Sequence, residues 1–368
     1  MWRLLTLGIL ASFFLPSTSA LAEETYTPAS ELLKARVETV QEEYTETIPG
    51  TDTVYTHQVL EARILSGRQE GKLVQVQNDY IPLDEGDRFF VIYEDHGGTD
   101  MRYYLQDVDR LGSLTWLLLI FVASIIALGG WYGARALLSL GASLFILVHI
   151  LMPGLLNGWN PLVASFFVAG AILAGALFLT HGFNRESLIA YGGTMTAVLA
   201  TVLLAAWSVA WTRLSGFSVD ESVYLNFSTS GALDLTGLLI GGIIIGVLGV
   251  LDDIAITQVA VVRELLADTT VKRKDVFLRA MRVGREHVGA VVNTLALAYV
   301  GVSLPLVLLM YRGGADASAL FNTEVVATEI VRTIVGSFGI VLAVPLVTFL
   351  AVRFLPRGDS QVANTHVH

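Results

Sequence analysis

The sequence predicts a mainly α-helical membrane protein, in which a polytopic bundle of about seven transmembrane helices follows a small β-rich domain. Of the 368 residues, 54% are hydrophobic and 15% are charged, whereas a soluble domain carries about 25% charged residues. The apolar residues concentrate after residue 112, in blocks of about 20 that can each cross a bilayer. Before that point, apolar and polar residues alternate with the period of strands.

Residues 1–22 have the pattern of an export signal. One arginine precedes the apolar run Leu4–Leu15, and Ala20–Ala22 has the small residues of a cleavage site. An uncleaved anchor helix is the alternative, but Pro16 ends the apolar run while it is short for a membrane span. We therefore expect the signal to be removed and the mature chain to begin at Glu23, outside the cytoplasm.

Residues 23–112 predict a small extracytoplasmic β-domain. Five short strands are typical of a barrel or a sandwich, and an OB-type barrel is one option. The predicted strands are Ala35–Gln41, Thr53–Leu65, Lys72–Gln77, Arg88–Tyr93 and Arg102–Val108.

The β-domain carries the acidic excess of the chain. Between Glu23 and Arg110 there are 19 acidic residues and eight Lys or Arg residues, a net charge of −11 against −10 for the whole chain. This charge repels nucleic acid and attracts cations, so no nucleic-acid partner is expected, and a solvated surface is its simplest interpretation. The absence of cysteine excludes disulfides and thiolate metal sites.

Residues 113–356 contain seven apolar blocks that are each long enough to span a bilayer. With the mature N-terminus outside, 11 Lys or Arg residues fall on inner loops and helix ends and three on outer loops, in agreement with the positive-inside rule. The tail, residues 357–368, is then cytoplasmic. The predicted spans are Leu114–Ala134, Leu137–Leu156, Pro161–Thr180, Ser187–Trp211, Leu235–Ala255, His287–Tyr311 and Thr333–Phe354.

The long inner loop, residues 259–286, contains a basic amphipathic segment. Val276, Ala280 and Gly284 repeat at helical spacing, so one face of this segment is apolar or small. We expect it to lie on anionic inner-leaflet lipids, although fixing the topology is the simpler role. Its basic residues are Lys272, Arg273, Lys274, Arg279, Arg282 and Arg285.

The fifth span is expected to lie at the centre of the bundle. Glycines spaced four apart leave one helix face nearly bare, which lets neighbouring helices approach closely. The small residues between Ala169 and Gly175 in the third span are the expected partner surface. The packing glycines are Gly237, Gly241, Gly242, Gly246 and Gly249.

Asp252 and Asp253 follow this glycine face and have apolar residues on both sides. Carboxylates at hydrocarbon depth usually mark an ion or proton path. Asn293 and Thr294 in the sixth span are the expected hydrogen-bond partners across the helices. The alternative is that the aspartates only end the helix at the inner headgroups.

Four further residues fit a moving or ligand-binding bundle. Pro305 and Pro345 lie inside predicted spans, where each frees a backbone carbonyl, and Glu329 and Arg332 can pair one turn apart. Taken singly, these are tolerated kinks and a surface ion pair. The sequence has no phosphate-binding loop, zinc-protease motif or nucleophile elbow, so no enzyme, cofactor or metal site is predicted.

The chain resembles the YibE/F family of bacterial multi-pass membrane proteins from about Ala35 to Phe354, most specifically between Gly246 and Gln258. The resemblance implies a bacterial plasma-membrane location and assigns no activity. One hypothesis is a secondary transporter or permease of an ion or small solute, with its site near the two aspartates. The other is a non-catalytic scaffold that presents the β-domain to an envelope protein or forms a homo-oligomer. A polar cavity lined by either aspartate would favour the transporter.

Overall fold

The computed structural model describes residues 30–47, 49–50, 52–95, 101–312 and 317–358. The predicted export signal and residues 359–368 of the predicted tail lie outside this part of the chain. The chain divides into two compact units, one within Ser17–Ser124 and one from Ile125 onward. This division falls 12 residues after the predicted end of the β-domain at residue 112.

The N-terminal unit contains a closed five-stranded barrel with the strand order β1-β2-β3-β5-β4. The first strand pairs antiparallel with both the second and the fourth, and the third pairs in parallel with the fifth. A closed five-stranded barrel is the architecture of OB-type domains, so the sandwich alternative is wrong. The strands are β1 Ser30–Thr47, β2 Val54–Ile64, β3 Leu73–Asn78, β4 Arg88–Asp95 and β5 Met101–Val108.

Alternate side chains of the strands fill the barrel, as the period-two pattern predicts. Leu33 and Leu60 are fully buried. Two polar side chains close one end: Asn78 donates to the Gln58 amide oxygen at 2.8 Å, and that oxygen also accepts from the Leu83 amide at 2.8 Å. These buried polar groups are therefore satisfied within the barrel.

Beyond this closed end, β1 and β2 continue as a two-stranded arm formed by Gln41–Thr47 and Val54–His57. The β2–β3 pairing stops at Gln58, and the β1–β4 pairing stops at Arg36. In the described residues, the arm therefore projects past the other strands. The sequence prediction ended β1 at Gln41 because the arm exposes both faces and loses the apolar alternation there.

The C-terminal unit is helical. A π-helical turn, Leu147–Leu151, joins its first two helices. The helices are α1 Leu111–Ile146, α2 Met152–Leu156, α3 Pro161–His181, α4 Arg185–Thr212, α5 Asp220–Ser228, α6 Leu235–Ala267, α7 Arg273–Val302, α8 Leu304–Arg312, α9 Ala317–Phe321 and α10 Glu324–Phe354.

Five helical stretches in the described residues are long and apolar enough to cross a membrane, and α7 with α8 would make a sixth. The first two predicted spans form one stretch, Leu111–Leu156, which breaks at Gly130, where φ is 53°. The predicted span His287–Tyr311 is not one straight helix, because the chain bends by 67° between α7 and α8. Pro305, the second residue of α8, lacks an amide hydrogen and clashes with the preceding turn.

Helix α6 lies at the centre of the unit, as predicted, and packs against α3, α4, α7 and α10. Its side chains Ile243, Ile244, Leu251 and Ile254 are almost completely buried. Successive residues of α3 and of α10 contact successive positions along α6, so these two helices run in the same direction as α6. Residues of α7 contact α6 in the reverse order, so α7 runs in the opposite direction.

The basic segment of the predicted inner loop is the first half of α7 rather than a separate surface helix. Val276, Ala280 and Gly284 are buried, and Gly284 lies against Val344 of α10 and Gln258 of α6. The apolar face of the segment therefore contacts protein, because α7 continues without a break into the bundle. The basic residues that are exposed are Lys272, Lys274, Arg279, Arg282 and Arg285.

Candidate functional site

Two of the five predicted packing glycines on α6 make close contacts with α3. A methyl group at Gly241 would overlap the Ser165 hydroxyl, and one at Gly237 would lie 3.4 Å from Pro161. These two glycines therefore contact the start of α3, while Gly170, within the expected surface Ala169–Gly175, faces Tyr191 and Met195 of α4. The beginning of α3 fits this role because its helix starts level with that of α6.

The structure differs from the sequence prediction at Gly242 and Gly249, whereas Gly246 lies against another helix. Gly242 and Gly249 face open space, and a methyl group at Gly246 would lie 2.8 Å from the Tyr299 hydroxyl of α7. Consecutive residues of a helix point about 100° apart. The glycines consequently divide between a face that contacts α3 and faces that do not.

Tyr299 belongs to a polar cluster with Glu329 and Arg332 of α10, which we call the Glu329 cluster. Arg332 Nη1 donates to Glu329 Oε1 at 2.8 Å, and the two side chains are 28% and 26% exposed. The Arg332 guanidinium lies 6.0 Å from the Tyr299 ring centre, within the range of a cation–π interaction. The predicted ion pair therefore forms, and it includes an aromatic partner from another helix.

The Glu329 cluster lies well inside the bundle. Gly246, which faces Tyr299, is 11 residues after the start of α6, or about 16 Å along the helix. Arg332 Nε is buried and has no hydrogen-bond partner among the described residues. The Nε–H group of Arg332 is thus available to donate a hydrogen bond. Burying such a donor without a partner costs free energy.

A cavity of about 310 Å³ opens beside this cluster, between α7, α8 and α10. Tyr299, Ser303, Glu329 and Thr333 are among its lining residues, but almost all of the lining surface is apolar. Ser303 is the residue at which α7 ends and the chain bends. The volume is in the range of small-molecule sites, which are mostly apolar with a few polar groups.

A second cavity, of about 470 Å³, lies between the π-helical turn and α3 and has an almost entirely apolar lining. Its one amide side chain, Asn160, accepts from the Val163 amide and caps α3. Neither this cavity nor the one beside Glu329 is lined by Asp252 or Asp253. These two cavities therefore do not provide the polar aspartate cavity that would favour a site there.

The two aspartates of α6 lie in a second group of charges, the Asp253 cluster. His181, at the end of α3, interacts electrostatically with Asp253 and Arg135, and the electrostatic neighbour of Asp252 is Asp253. The Arg135 side chain also donates to the Leu179 carbonyl at 2.6 Å. The cluster comprises Arg135, His181, Asp252 and Asp253.

The predicted partners of the aspartates lie elsewhere. Asn293 and Thr294 are exposed on α7, and the Thr294 hydroxyl donates to Ala290 in its own helix at 3.0 Å. Within the described residues, no hydrogen bond joins either of them to Asp252 or Asp253. No sequence pattern indicated His181, because nothing in its spacing places it beside α6.

Gln258 is a buried polar residue that the sequence analysis did not assign to a site. Its side-chain amide donates to the Ala280 carbonyl of α7 at 2.9 Å, and the residue is 2% exposed. A methyl group at Gly284 would lie 3.0 Å from this amide. Gln258 therefore joins α6 to α7 where glycine allows the helices to approach.

Two long-range carboxylate contacts also escaped prediction. Glu186 of α4 accepts two hydrogen bonds from Arg263 of α6, at 2.8 and 2.9 Å. At the other end of the unit, Glu324 accepts from the amides of Ser215 and Gly216 at 2.8 and 2.9 Å. Glu186 and Arg263 are 77 residues apart in the sequence, and Ser215 and Glu324 are 109 residues apart. No periodic pattern in the sequence therefore indicates these contacts.

Together, the two clusters place ionisable side chains on the central helix and on α10. The Glu329 cluster combines a carboxylate, a guanidinium and a phenol beside a cavity, which suits binding of a small polar or charged solute. The Asp253 cluster combines carboxylates with an imidazole, which suits transfer of a proton. No group of three or more potential metal-ligating residues occurs in the part of the chain that the structure describes.

Comparison with known proteins identifies the helical unit. The model of the YibE/F-like protein family matches residues 117–357. This range includes nearly all of the described helical unit and begins after the barrel, six residues into α1, whereas the sequence resemblance extended back to about Ala35. No curated protein and no solved structure gives a significant match.

Proposed function

Because the chain belongs to the YibE/F-like protein family, we propose that it is a multi-pass protein of the bacterial cell membrane and a permease for an ion or small solute. The surface of the helical unit supports the membrane location. Leu128, Trp131 and Val302 are 92%, 76% and 85% exposed. Large contiguous apolar surfaces are rare on soluble monomers, and lipid is their natural solvent.

Seven spans fit the observed helices. The break at Gly130 divides Leu111–Leu156 into two segments that are each about long enough to cross a bilayer. Helices α3, α4, α6 and α10 add four crossings, and α7 with α8, counted as one bent span, adds the seventh. The excess of positive residues near Arg263 and on α7 then favours that end as cytoplasmic, with the barrel outside.

The observation that carries the permease proposal is the Glu329 cluster beside a cavity at a broken helix. A charged pair inside a helical bundle is costly and usually functional, and a break inside a span leaves backbone groups that can face a solute. The α7–α8 bend offers an element that can change its angle. In this proposal, Glu329 and Arg332 bind the solute, and the Asp253 cluster carries a coupling proton.

A thermal-shift screen of the purified protein against ions and metabolites tests the binding site. A ligand at about 100 times its Kd stabilises a protein by about 2.7 kcal/mol, which produces a measurable rise in Tm. We expect the rise to vanish in Glu329→Gln and Arg332→Gln. It should persist in Glu221→Gln, where the exposed carboxylate lies on α5.

The same compounds, loaded outside proteoliposomes, test transport. Uptake by the parent protein and its loss in Glu329→Gln would support the permease. Binding that persists in all three variants would remove the cavity as the site. Binding through Glu329 without any flux would instead favour the second hypothesis, a membrane scaffold that displays the barrel.

A further inference from the structure

The arm of the barrel carries an aromatic and acidic face that the permease proposal does not use. Tyr44 lies opposite His57 in the β1–β2 ladder, and Glu46 lies opposite Tyr55. Side chains two residues apart in a strand point to the same face. All four side chains therefore share one side of the arm.

Contacts within this face hold its groups in place. The His57 ring stacks on Tyr44 with 4.9 Å between ring centres and meets Tyr55 edge-on at 4.5 Å. Asp79, which follows β3, lies 2.5 Å from His57 Nδ1, and Glu46 lies 3.4 Å from Nε2. The buried Gln58–Asn78 contact fixes the base of the arm directly beneath. The face is therefore ordered without a ligand.

The groups that remain accessible are negative or aromatic. Tyr44 is 54% exposed, and the carboxylate side chains of Glu46 and Asp79 are 56% and 62% exposed. Residues 41–58 contain four acidic residues and no Lys or Arg. Local desolvation and the neighbouring carboxylate of Glu46 raise the pKa of Tyr55, so its hydroxyl stays neutral at physiological pH.

We propose that this face of the arm binds a basic segment of another polypeptide. An arginine or lysine of the partner lies against the exposed ring of Tyr44 through a cation–π contact, and Glu46 and Asp79 accept its neighbouring basic groups. Aromatic rings next to carboxylates are a favourable environment for guanidinium and ammonium ions.

The shape of the arm favours a polypeptide over a free amine. Small ligands bind in concave sites that enclose most of their surface, whereas the arm is a two-stranded ribbon whose β1 residues 41–47 are all exposed. A chain that presents several basic side chains can contact Glu46 and Asp79 together and can reach Glu43 on the opposite face. Binding of this kind does not depend on whether the helical unit transports a solute.

Fluorescence anisotropy of the full-length protein in a neutral detergent tests the proposal. The probe is a short labelled peptide of alternating glycine and arginine, and a peptide of alternating glycine and glutamate is the control. We expect saturable binding of the basic peptide only. Tyr44→Ala should weaken it about 3-fold, the size of an exposed cation–π contact, and Tyr44→Phe should retain it.

Charge-matched variants separate a site from general attraction to an acidic domain. Glu46→Gln with Asp79→Asn should weaken binding about 10-fold, whereas Glu70→Gln with Asp84→Asn, which removes the same charge from exposed turns, should change it less than 2-fold (about 0.4 kcal/mol at 1.4 kcal/mol per tenfold change). Tyr104→Ala, at an exposed tyrosine of β5, should have no effect.

Three outcomes would overturn the proposal. The first is equal loss in the two charge-matched double variants, which would indicate nonspecific attraction. The second is full affinity in Tyr44→Ala together with Glu46→Gln and Asp79→Asn. The third is displacement of the peptide by free spermidine at equal charge concentration, which would identify a free amine as the ligand instead.

Discussion

At the scale of single residues, the charges inside the helical unit occur mostly beside opposite charges. Glu186 pairs with Arg263, and Glu329 pairs with Arg332. Pairing lowers the cost of placing a charge among apolar helices. Asp252 differs, because its electrostatic neighbour is the like charge of Asp253. Two carboxylates on adjacent residues of the central helix repel each other, so this pair is less favourable than the ion pairs.

This arrangement predicts opposite effects of Asp252→Asn on stability and on function. The substitution removes like-charge repulsion and nearly preserves the size of the side chain, so Tm should be unchanged or higher. An ion-dependent growth phenotype of a deletion strain should not be complemented. Membrane abundance, measured by immunoblot, controls for expression.

Asp253→Asn provides the comparison, because it removes the other carboxylate of the pair. It should also abolish complementation, and it should likewise leave Tm unchanged or higher. If both single variants and the double variant complement fully, the Asp253 cluster has no role in transport. Their effect on stability alone would then fall within about 0.5 kcal/mol, as at a surface site.

At the scale of elements, α6 presents two kinds of glycine next to each other. Gly241 lies against Ser165 of α3, and Gly242 faces open space. Gly241 allows close helix packing. Gly242 makes no such contact, and its only effect is a helix propensity lower than that of alanine. Adjacent residues on one helix therefore test the packing with the same chemical change.

We expect Gly241→Ala to destabilise the protein by about 1–3 kcal/mol, because the new methyl group overpacks the contact with α3. Gly242→Ala should be neutral or stabilising by up to about 1 kcal/mol. Thermal unfolding of both variants in detergent measures the difference. Equal Tm values would contradict the α3–α6 contact.

At the scale of the whole molecule, the direction of α6 determines the predicted topology. Thr229 lies just before α6 and Thr270 just after it. If α6 crosses the membrane with its basic end inside, a reporter fused after Thr229 is extracytoplasmic and one fused after Thr270 is cytoplasmic. Alkaline phosphatase and green fluorescent protein fusions at the two positions should give opposite signals. The same side for both would contradict the seven-span arrangement.

Much of the architecture could be predicted from the sequence, because the spacing of apolar residues indicates which side chains are buried. Alternation gave all five strands, and the apolar blocks gave α3 and α4 to within a few residues. The barrel arm was missed, since residues exposed on both faces carry no alternation. The α7–α8 break was only partly predicted: Pro305 indicated a kink, but the sequence does not specify its angle of 67°.

The candidate sites were harder to predict, because they depend on which faces of distant helices meet. A row of glycines indicates that another helix approaches closely, but it does not identify that helix or the glycines that contact it. Gly242 and Gly249 were therefore predicted to pack against another helix, although only Gly237 and Gly241 contact α3. Local pairs such as Glu329 and Arg332 were predictable from their spacing. The contact of Tyr299 with Arg332 depends on the relative positions of α7 and α10, which no local pattern encodes.

The position of α10 has a consequence for biosynthesis. This helix packs against α4, α6 and α7, and its first residue, Glu324, is held by the loop after α4. The ribosome releases α10 after those helices, so they emerge with their shared groove unfilled. Thr201 and Val347 illustrate the gap, since each later packs tightly against a glycine of the opposite helix. A nascent chain halted before Glu324 therefore exposes the apolar walls that α10 would cover.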